Sequence, residues 1–396
     1  MNFVFISPQF PHTYWNFCDR LHHGGVNVLG IGDSPYEELE DHLKESLTEY
    51  YRVNSLEDYD EVYRAAAFFT FKYGKIDWLE SNNEYWLEQD ARLRTDFHIT
   101  TGADLKEVAC FKSKSGMKAY YAKAKVPTAR CSQVTTLEAA KAFLDEVGYP
   151  AVVKPDSGVG AAHTGKLENE EDLQKFFSAL PDVPYVIEEF IEGDIVSYDA
   201  ITDSHCKPLF ESMTVWPPSI MDIVNRGLDL SYYTADHVPA ALAELGRATV
   251  KSFKARSRFV HLEFFRLSKP RRGLGETGDY VGLEVNMRPA GGYTPDMMNY
   301  AHSTDVYQIW ADMVLFDKRL LPESNTHHFC VYAGRRDTHQ YRHTHEEILS
   351  RYGKQIVMCE RMPEILSGAM GNQMYTAHAP DETALREFIA YVQERA

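Results

Sequence analysis

The stretch GLEVNMRPAGG, at residues 282–292, sets an acid, an amide and a guanidinium at every second position. These residues are Glu284, Asn286 and Arg288. Alternate side chains of an extended strand point to the same side. The pattern therefore predicts that one face of this strand presents all three polar groups to a common place, while the apolar residues between them face the other way.

A second acidic strand precedes this one. The run FVHLEFF places Glu263 among apolar neighbours, and a turn-rich segment separates it from the strand of Glu284. If the two strands pair antiparallel, the two carboxylates lie side by side, and one takes up a proton unless a cation neutralises them. Two carboxylates and the amide oxygen of Asn286 suit Mg²⁺, which completes its shell with water and substrate phosphates. The alternative is a hairpin face with ordinary solvated charges, and the apolar setting of both acids favours the metal site.

Lys154 ends a valine-rich strand in AVVKPDSGVG. A lysine is costly to bury there unless it meets a negative charge. The loop that follows contains Gly158 and Gly160, whose backbone N–H groups can approach a phosphate closely. The alternative is a surface lysine before an ordinary turn.

Two formal nucleotide-binding patterns are rejected on their context. Residues 160–166 match GxxxxGK, but Leu167 replaces the required hydroxyl residue and the next helix is predicted to begin only after Asn169. Residues 273–278 match GxGxxG, but they lie between two predicted strands with no helix following, so we expect a hairpin turn.

Composition limits the class of protein. The chain has 396 residues, 44% of them hydrophobic, and a formal net charge of -17, so we expect two or three domains and no general affinity for nucleic acid or anionic membranes. We see no signal peptide and no apolar run long enough to cross a membrane. Six scattered cysteines form no disulfide framework. These features are typical of a reduced, cytoplasmic protein.

Strand and helix patterns divide the chain into four predicted segments. Residues 1–110 alternate strand and helix signals, which predicts a Rossmann-like parallel sheet, although no glycine fingerprint follows the first strand. Residues 111–185 are predicted to form a small lid, residues 186–320 a larger unit with the metal site, and residues 321–396 a C-terminal α+β segment.

The motifs, taken in order, resemble those of one known superfamily. KxxMK at Lys114–Lys118 is followed by VPTAR, VVKP with a glycine loop, VIEEFIEGD, HLEFF and LEVNMRPAGG. This order resembles the ATP-grasp superfamily, as in D-alanine–D-alanine ligase, biotin carboxylase and the large chain of carbamoyl phosphate synthetase. The resemblance implies a mixed α/β and α+β fold, in which a Rossmann-like N-terminal domain precedes an ATP-grasp fold and a small C-terminal segment.

The resemblance also implies roles for matching positions. ATP would be held by the phosphate-binding residues Lys114 and Lys154, by the loop residues Ser157, Gly158, Gly160 and His163, and by the adenine hinge Glu188, Glu189, Phe190 and Ile191. Family members often carry a ribose-binding glutamate where Ile195 stands here, and Asp194 is its expected substitute. Mg²⁺ or Mn²⁺ would be bound by Glu263, Glu284 and Asn286, and Arg288 would steady the transferring phosphoryl group.

The activity implied is that of an ATP-dependent carboxylate–amine ligase, which forms an acyl phosphate and then an amide, ADP and phosphate. Arg288 and His261 are the candidate catalytic residues, because His261 lies on the same strand face as Glu263 and is expected on the substrate side. The expected partners are a small carboxylate and an amine, with a homodimer as the commonest assembly. A bicarbonate-using carboxylase and a non-catalytic nucleotide sensor remain as alternatives.

Overall fold

The N-terminal part is a four-stranded parallel sheet flanked by helices. The computed structural model describes residues 1–157, 164–217, 223 and 226–396. The sheet has the order β3-β2-β1-β4, and all three strand pairs are parallel. This arrangement confirms the Rossmann-like fold predicted for the start of the chain. Its elements are β1 (Asn2–Ile6), α1 (Trp15–His23), β2 (Asn27–Gly32), α2 (Asp41–Ser46), β3 (Glu49–Arg52), α3 (Tyr59–Tyr73), β4 (Trp78–Glu80) and α4 (Leu87–Asp96).

Two helices lead into a small antiparallel sheet, the lid, with the order β5-β8-β6-β7. Asn169 caps the last lid helix by accepting a hydrogen bond from the backbone N–H of Asp172 at 3.1 Å. The GxxxxGK match therefore runs into a strand and not into a helix, as predicted. The elements are α5 (Leu105–Lys112), α6 (Lys114–Ala124), β5 (Cys131–Gln133), α7 (Leu137–Val147), β6 (Ala151–Pro155), β7 (Gly165–Leu167), α8 (Glu170–Ser178) and β8 (Tyr185–Glu189).

An eight-stranded antiparallel sheet forms the rest of the described chain, in the order β13-β12-β9-β10-β11-β14-β16-β15. Its last three strands come from the C-terminal segment, so strands on both sides of residue 320 share one sheet, and the predicted division there stays a prediction. The elements are β9 (Gly193–Thr202), β10 (Pro208–Val215), β11 (Ser231–Thr234), α9 (Ala240–Ser252), β12 (Arg258–Leu267), β13 (Tyr280–Asn286), α10 (Thr294–His302), α11 (Val306–Phe316), β14 (Phe329–Arg335), α12 (His345–Tyr352), β15 (Ile356–Arg361), α13 (Glu364–Met370), β16 (Gln373–Ala379) and α14 (Glu382–Gln393).

The hairpin β12–β13 has the register that the spacing predicted. Glu263 pairs with Glu284, and His261 pairs with Asn286. The GxGxxG match lies in the turn between the two strands. Because the strands pair antiparallel, the polar residues of both strands reach the same end of the sheet.

Helix α6 packs closely on this hairpin because β13 carries a glycine at the contact. A Cβ atom on Gly282 would lie 2.7 Å from the ring of Tyr121, a side chain of α6 that is fully buried. Any larger residue would push the helix away from the strand. The absence of a side chain at this position therefore sets how near α6 comes to β13.

A buried ionic cluster joins the N-terminal sheet to β12. The carboxylate of Glu80 lies 3.5 Å from guanidinium nitrogens of both Arg94 and Arg258. Burial opposes ionisation of Glu80, but the two arginines hold its pKa below the usual value. Asp90 lies beside this cluster and accepts hydrogen bonds from Ser81, and burial, followed by the charge of Glu80, raises the pKa of Asp90 to about 7.

We predict that Asp90→Asn alters how stability depends on pH. The pKa of Asp90 is higher in the folded chain than in the unfolded chain, so its protonation favours folding, and its ionisation costs stability as pH rises from about 4 to about 7. An asparagine side chain does not titrate in this pH range, so the variant lacks this contribution. The free energy of unfolding, measured by denaturant titration across this range, should therefore fall less steeply in the variant, by up to about 1.4 kcal/mol per pH unit.

Glu88→Gln, an exposed change on the same helix, is the control and should keep the wild-type pH dependence. Identical pH profiles for Asp90→Asn and the wild type would contradict the prediction.

Candidate active site

The start of α6 is fixed to the end of β6 by one carboxylate. Asp156 accepts hydrogen bonds from the backbone N–H of Ser115 at 2.7 Å and from the hydroxyl of Ser113 at 2.9 Å. Lys114 is the first residue of α6, and Lys154 lies two residues before Asp156. The contact therefore holds the two predicted phosphate-binding lysines in one region. The Lys114 ammonium lies 3.7 Å from a carboxylate oxygen of Glu284.

Glu188 is the negative partner of two lysines, of which Lys154 is buried and Lys118 is half-buried. One of its oxygens lies 2.6 Å from Nζ of Lys154, and the other lies 2.7 Å from Nζ of Lys118. Burial alone would raise the pKa of Glu188, but the two ammonium groups hold it below the usual value. Burial would likewise lower the pKa of Lys154, and Glu188 keeps it raised. Lys154 therefore stays charged beside Glu188.

Lys118 is a site residue for which the sequence analysis assigned no role. It lies four positions after Lys114 in α6, and residues at that spacing share one face of a helix. This spacing was the signal by which it could have been found.

The remaining hinge residues differ in where their side chains go. The carboxylate of Glu189 is fully buried and bonded to Arg130 at 2.8 Å and Arg271 at 3.1 Å, on the face of β8 opposite to Glu188. Ile191 packs in a small apolar cluster, and the Phe190 ring lies 4.5 Å below the Lys166 ammonium. Contact between Glu189 and a nucleotide would therefore involve its backbone and not its carboxylate.

Two predicted ATP contacts lie at the edge of this arrangement, and three others fall outside the described residues. Asp194 is paired at the surface with Arg266 at 2.8 Å, so a ribose contact would compete with that ion pair. Ser157 is exposed at the end of the described strand region. Gly158, Gly160 and His163 lie outside the described residues.

Glu263 and Glu284 form the carboxylate pair of the predicted metal site. Burial raises the pKa of Glu284 first, and the charge of Glu263 raises it further. The pKa of Glu263 is held low against burial by His261 and by Arg288. Together with the buried side chain of Asn286, the pair offers the oxygen ligands that Mg²⁺ prefers. The described residues contain no group of three or more His, Cys, Asp or Glu side chains arranged to hold a metal.

Both ring nitrogens of His261 are paired with carboxylates. Its Nδ1 lies 2.7 Å from a carboxylate oxygen of Asp199, and its Nε2 lies 3.2 Å from a carboxylate oxygen of Glu263. Asp199 in turn accepts a hydrogen bond from the hydroxyl of Ser197 at 2.6 Å, and both residues are fully buried. With both ring nitrogens paired, the geometry favours a role in positioning Glu263 over the direct catalytic role that we predicted.

Arg288 follows β13 on a segment fixed from both sides. The backbone N–H of Met287 donates to Glu84 at 3.2 Å, and its carbonyl oxygen accepts from buried Arg258. The guanidinium of Arg288 donates to the carbonyl of Pro289 at 2.8 Å and is half-buried. It lies close enough to Glu263 to lower the pKa of that carboxyl.

The described site therefore gathers four cations and three carboxylates around the end of one hairpin. The predicted phosphate-binding lysines and the predicted cation-binding carboxylates lie together there, with Arg288 beside them. This is the set of groups that phosphoryl transfer requires, since it depends mainly on positioning and charge neutralisation.

Comparison with known proteins agrees with this geometry. Residues 112–213 match the family model of the phosphoribosylglycinamide synthetase ATP-grasp (A) domain. This part of the chain is therefore similar to an ATP-grasp domain.

Several solved structures share the fold over almost the whole chain. An L-amino acid ligase from Bacillus licheniformis is 13% identical with a TM-score of 0.69, and the match covers 98% of this chain and 97% of that chain. Phosphoribosylglycinamide synthetase from Anaerococcus prevotii is 12% identical with a TM-score of 0.68, over 100% and 98%. The biotin carboxylase domain of Hydrogenobacter thermophilus 2-oxoglutarate carboxylase, in complex with MgADP and bicarbonate, is 14% identical with a TM-score of 0.70, over 100% and 90%. At these identities the likeness confirms the predicted fold. No helix among the described residues is long and apolar enough to span a membrane.

We predict that His261→Asn weakens divalent-cation binding by about 10- to 100-fold, the usual cost of losing a group that orients a metal ligand. Asparagine cannot bridge Asp199 and Glu263, so Glu263 loses its fixed orientation. The dissociation constant of Mn²⁺, measured by electron paramagnetic resonance with bound nucleotide, checks this.

His378→Asn is the matched control, because its imidazole is half-buried and contacts the carbonyl of Tyr300, far along the chain from the carboxylate pair. Unchanged Mn²⁺ affinity in a folded His261→Asn protein would contradict the positioning role.

Proposed function

We propose that this chain is an ATP-dependent ligase that activates a carboxylate as an acyl phosphate and joins it to an amine, with release of ADP and phosphate. The observation that carries the proposal is the meeting of Lys114 and Lys154 with the Glu263–Glu284 pair and Arg288 at one sheet end. This arrangement fits a bound nucleotide and a divalent cation, and no cysteine or serine nucleophile is needed for the transfer itself.

Each group has a separate task in this proposal. Lys114 and Lys154 bind the phosphates of ATP, and Glu188 keeps Lys154 charged. Glu263, Glu284 and Asn286 would hold Mg²⁺, which neutralises phosphate charge when bound. Arg288 contacts the developing negative charge of the transferred phosphoryl group and orients the substrate carboxylate. The amine then attacks the acyl carbon, the C–N bond forms, and phosphate leaves with the electron pair of the broken C–O bond.

The proposed acceptor and donor are small molecules, and the identity of both is an experimental question. Bicarbonate is also a carboxylate-like acid, so it belongs among the acceptors to be tested. ADP release that depends on bicarbonate alone would assign the chain to carboxylase chemistry.

We predict that Arg288→Ala lowers ADP formation by between about a hundredfold and about a thousandfold, because one positioned group for the developing charge is lost. The assay is ADP and phosphate release from Mg-ATP with pooled amino acids and small carboxylates. Mass spectrometry of the same samples should reveal a product whose mass is the sum of two substrates minus water.

Arg272→Ala, an exposed change in the β12–β13 turn, is the matched control and should keep wild-type turnover. Glu284→Gln serves as the blank, since it removes one ligand of the carboxylate pair. Normal turnover by Arg288→Ala would remove Arg288 from the site. ATP binding without ADP release in every pool would overturn the ligase proposal.

A further inference from the structure

A crevice of about 590 Å³ opens at the carboxyl edge of the N-terminal sheet. The sheet order β3-β2-β1-β4 means that the chain leaves β1 toward one side and later returns to its other side. Ligands of open α/β sheets bind at such a switch point, outside the carboxyl ends of the strands. The lining residues follow the four strands and are Ser7, Gln9, Phe10, Asp33, Ser34, Leu56, Asn83, Tyr85 and Trp86.

The lining combines one negative charge with aromatic surface. Asp33 is the only charged side chain among these residues, and its carboxylate accepts a hydrogen bond from Gln9 at 3.1 Å. Phe10 and Tyr85 are 38% and 57% exposed, and the Tyr85 ring meets Trp86 edge-on at 4.6 Å. A carboxylate and aromatic faces attract an ammonium group and an apolar substituent.

The same lining is unsuited to a phosphate. None of the nine residues is a lysine, arginine or histidine. Phosphate groups in proteins are bound by such cations or by convergent N–H donors, and a lone carboxylate repels them. The charge of the crevice is therefore opposite in sign to that of the lysine-lined ATP site.

Polar groups at this edge also have unused hydrogen-bonding capacity. Within the described part of the chain, the amide oxygen of Gln9 and both polar atoms of the Asn82 side chain are buried without a hydrogen-bond partner. Buried polar groups are normally hydrogen-bonded. Asn82 directly follows Ser81 at the end of β4, beside the lining residue Asn83. Of these two residues only Gln9 lines the crevice, where its amide oxygen offers an acceptor to a ligand N–H group.

Two short links connect the crevice to the segment that carries Arg288. Asn83 is followed by Glu84, which accepts the backbone N–H of Met287 at 3.2 Å. Tyr14 donates its hydroxyl to the carbonyl of Asn82 at 2.7 Å. Burial raises the pKa of Tyr14, and the nearby charge of Arg288 partly offsets that rise. The loop that lines one side of the crevice is therefore hydrogen-bonded to the segment that carries Arg288.

We propose that this crevice binds the amine substrate, and that this substrate is an unphosphorylated amine with an apolar or aromatic substituent. The proposal rests on the proposed ligase function, because it assigns the crevice to one of that reaction's two substrates. Asp33 contacts the cationic or hydrogen-bond-donating part of the ligand, and Tyr85 with Trp86 contacts its apolar part.

The test is calorimetric titration of the full chain, with Mg²⁺ and a non-hydrolysable ATP analogue present. The probes are phenethylamine, L-phenylalanine and O-phosphoethanolamine. We expect the first two to bind and the phosphorylated amine not to. Asp33→Asn should weaken binding about tenfold, the value for one charge-assisted contact, and Tyr85→Ala should weaken it similarly. The matched surface changes Asp41→Asn and Phe71→Ala, both on exposed residues of the same domain, should have no effect.

Three results would overturn the proposal: failure of both unphosphorylated amines to bind, equal or tighter binding of O-phosphoethanolamine, or wild-type affinity in both crevice variants. The ADP and mass-spectrometric assay separates this outcome from failure of the ligase. Binding that depends on Asp33 without any ADP release would leave the crevice standing and reject the ligase. Product formation with an unchanged KM for the amine in Asp33→Asn would support the ligase and reject the crevice as the amine site.

Discussion

Two half-buried carboxylates facing each other across one hairpin constrain the whole site. Glu263 and Glu284 pair in register, and the charge of Glu263 disfavours ionisation of Glu284. Such a pair is tolerable only where positive charge comes close. That charge comes from separate elements, namely Lys114 on α6, Lys154 on the lid and Arg288 beyond β13. The lid, the helix and the hairpin must therefore meet for the carboxylates to be stable together.

The N-terminal sheet also helps to fix the segment that carries Arg288. Its ionic cluster reaches β12 through Arg258, whose guanidinium also holds the carbonyl of Met287, while Glu84 holds the N–H of the same residue. Both backbone groups of Met287 are thus fixed by neighbours outside its own strand. Because Arg288 is the next residue, its position depends on the packing of the N-terminal sheet against β12. The arginine is aligned by the fold and not by its local sequence alone.

The sequence predicted those features that depend on local spacing. Alternation along two strands was enough to pair Glu263 with Glu284, and the hydrogen-bonding capacity of Asn169 was enough to begin α8. Alternation also predicts that Glu188 and Glu189 face opposite sides of β8, as they do. The sequence analysis assigned all hinge residues one common role and so did not distinguish the two.

Features that depend on which strands are neighbours could not be predicted from the sequence in this way. His261 contacts Asp199, which is 62 residues earlier in the chain, because β9 happens to lie beside β12. The sequence alone gave no reason to pair them, so His261 was expected to face a substrate. Likewise the crevice is made of loops after four strands, and its charge becomes visible only once the strand order is known.

The distribution of charge gives a physical reason for two separate substrate sites. The chain as a whole carries a formal charge of -17, which disfavours the approach of free polyanions. The clustered cations Lys114, Lys118 and Lys154 weaken that field locally, and a divalent cation on ATP would reduce the repulsion further. The crevice beside Asp33 keeps the negative sign of the surface and so favours a cation or a neutral group. An anionic nucleotide and an amine would therefore be sorted to adjoining places by charge before any specific contact forms.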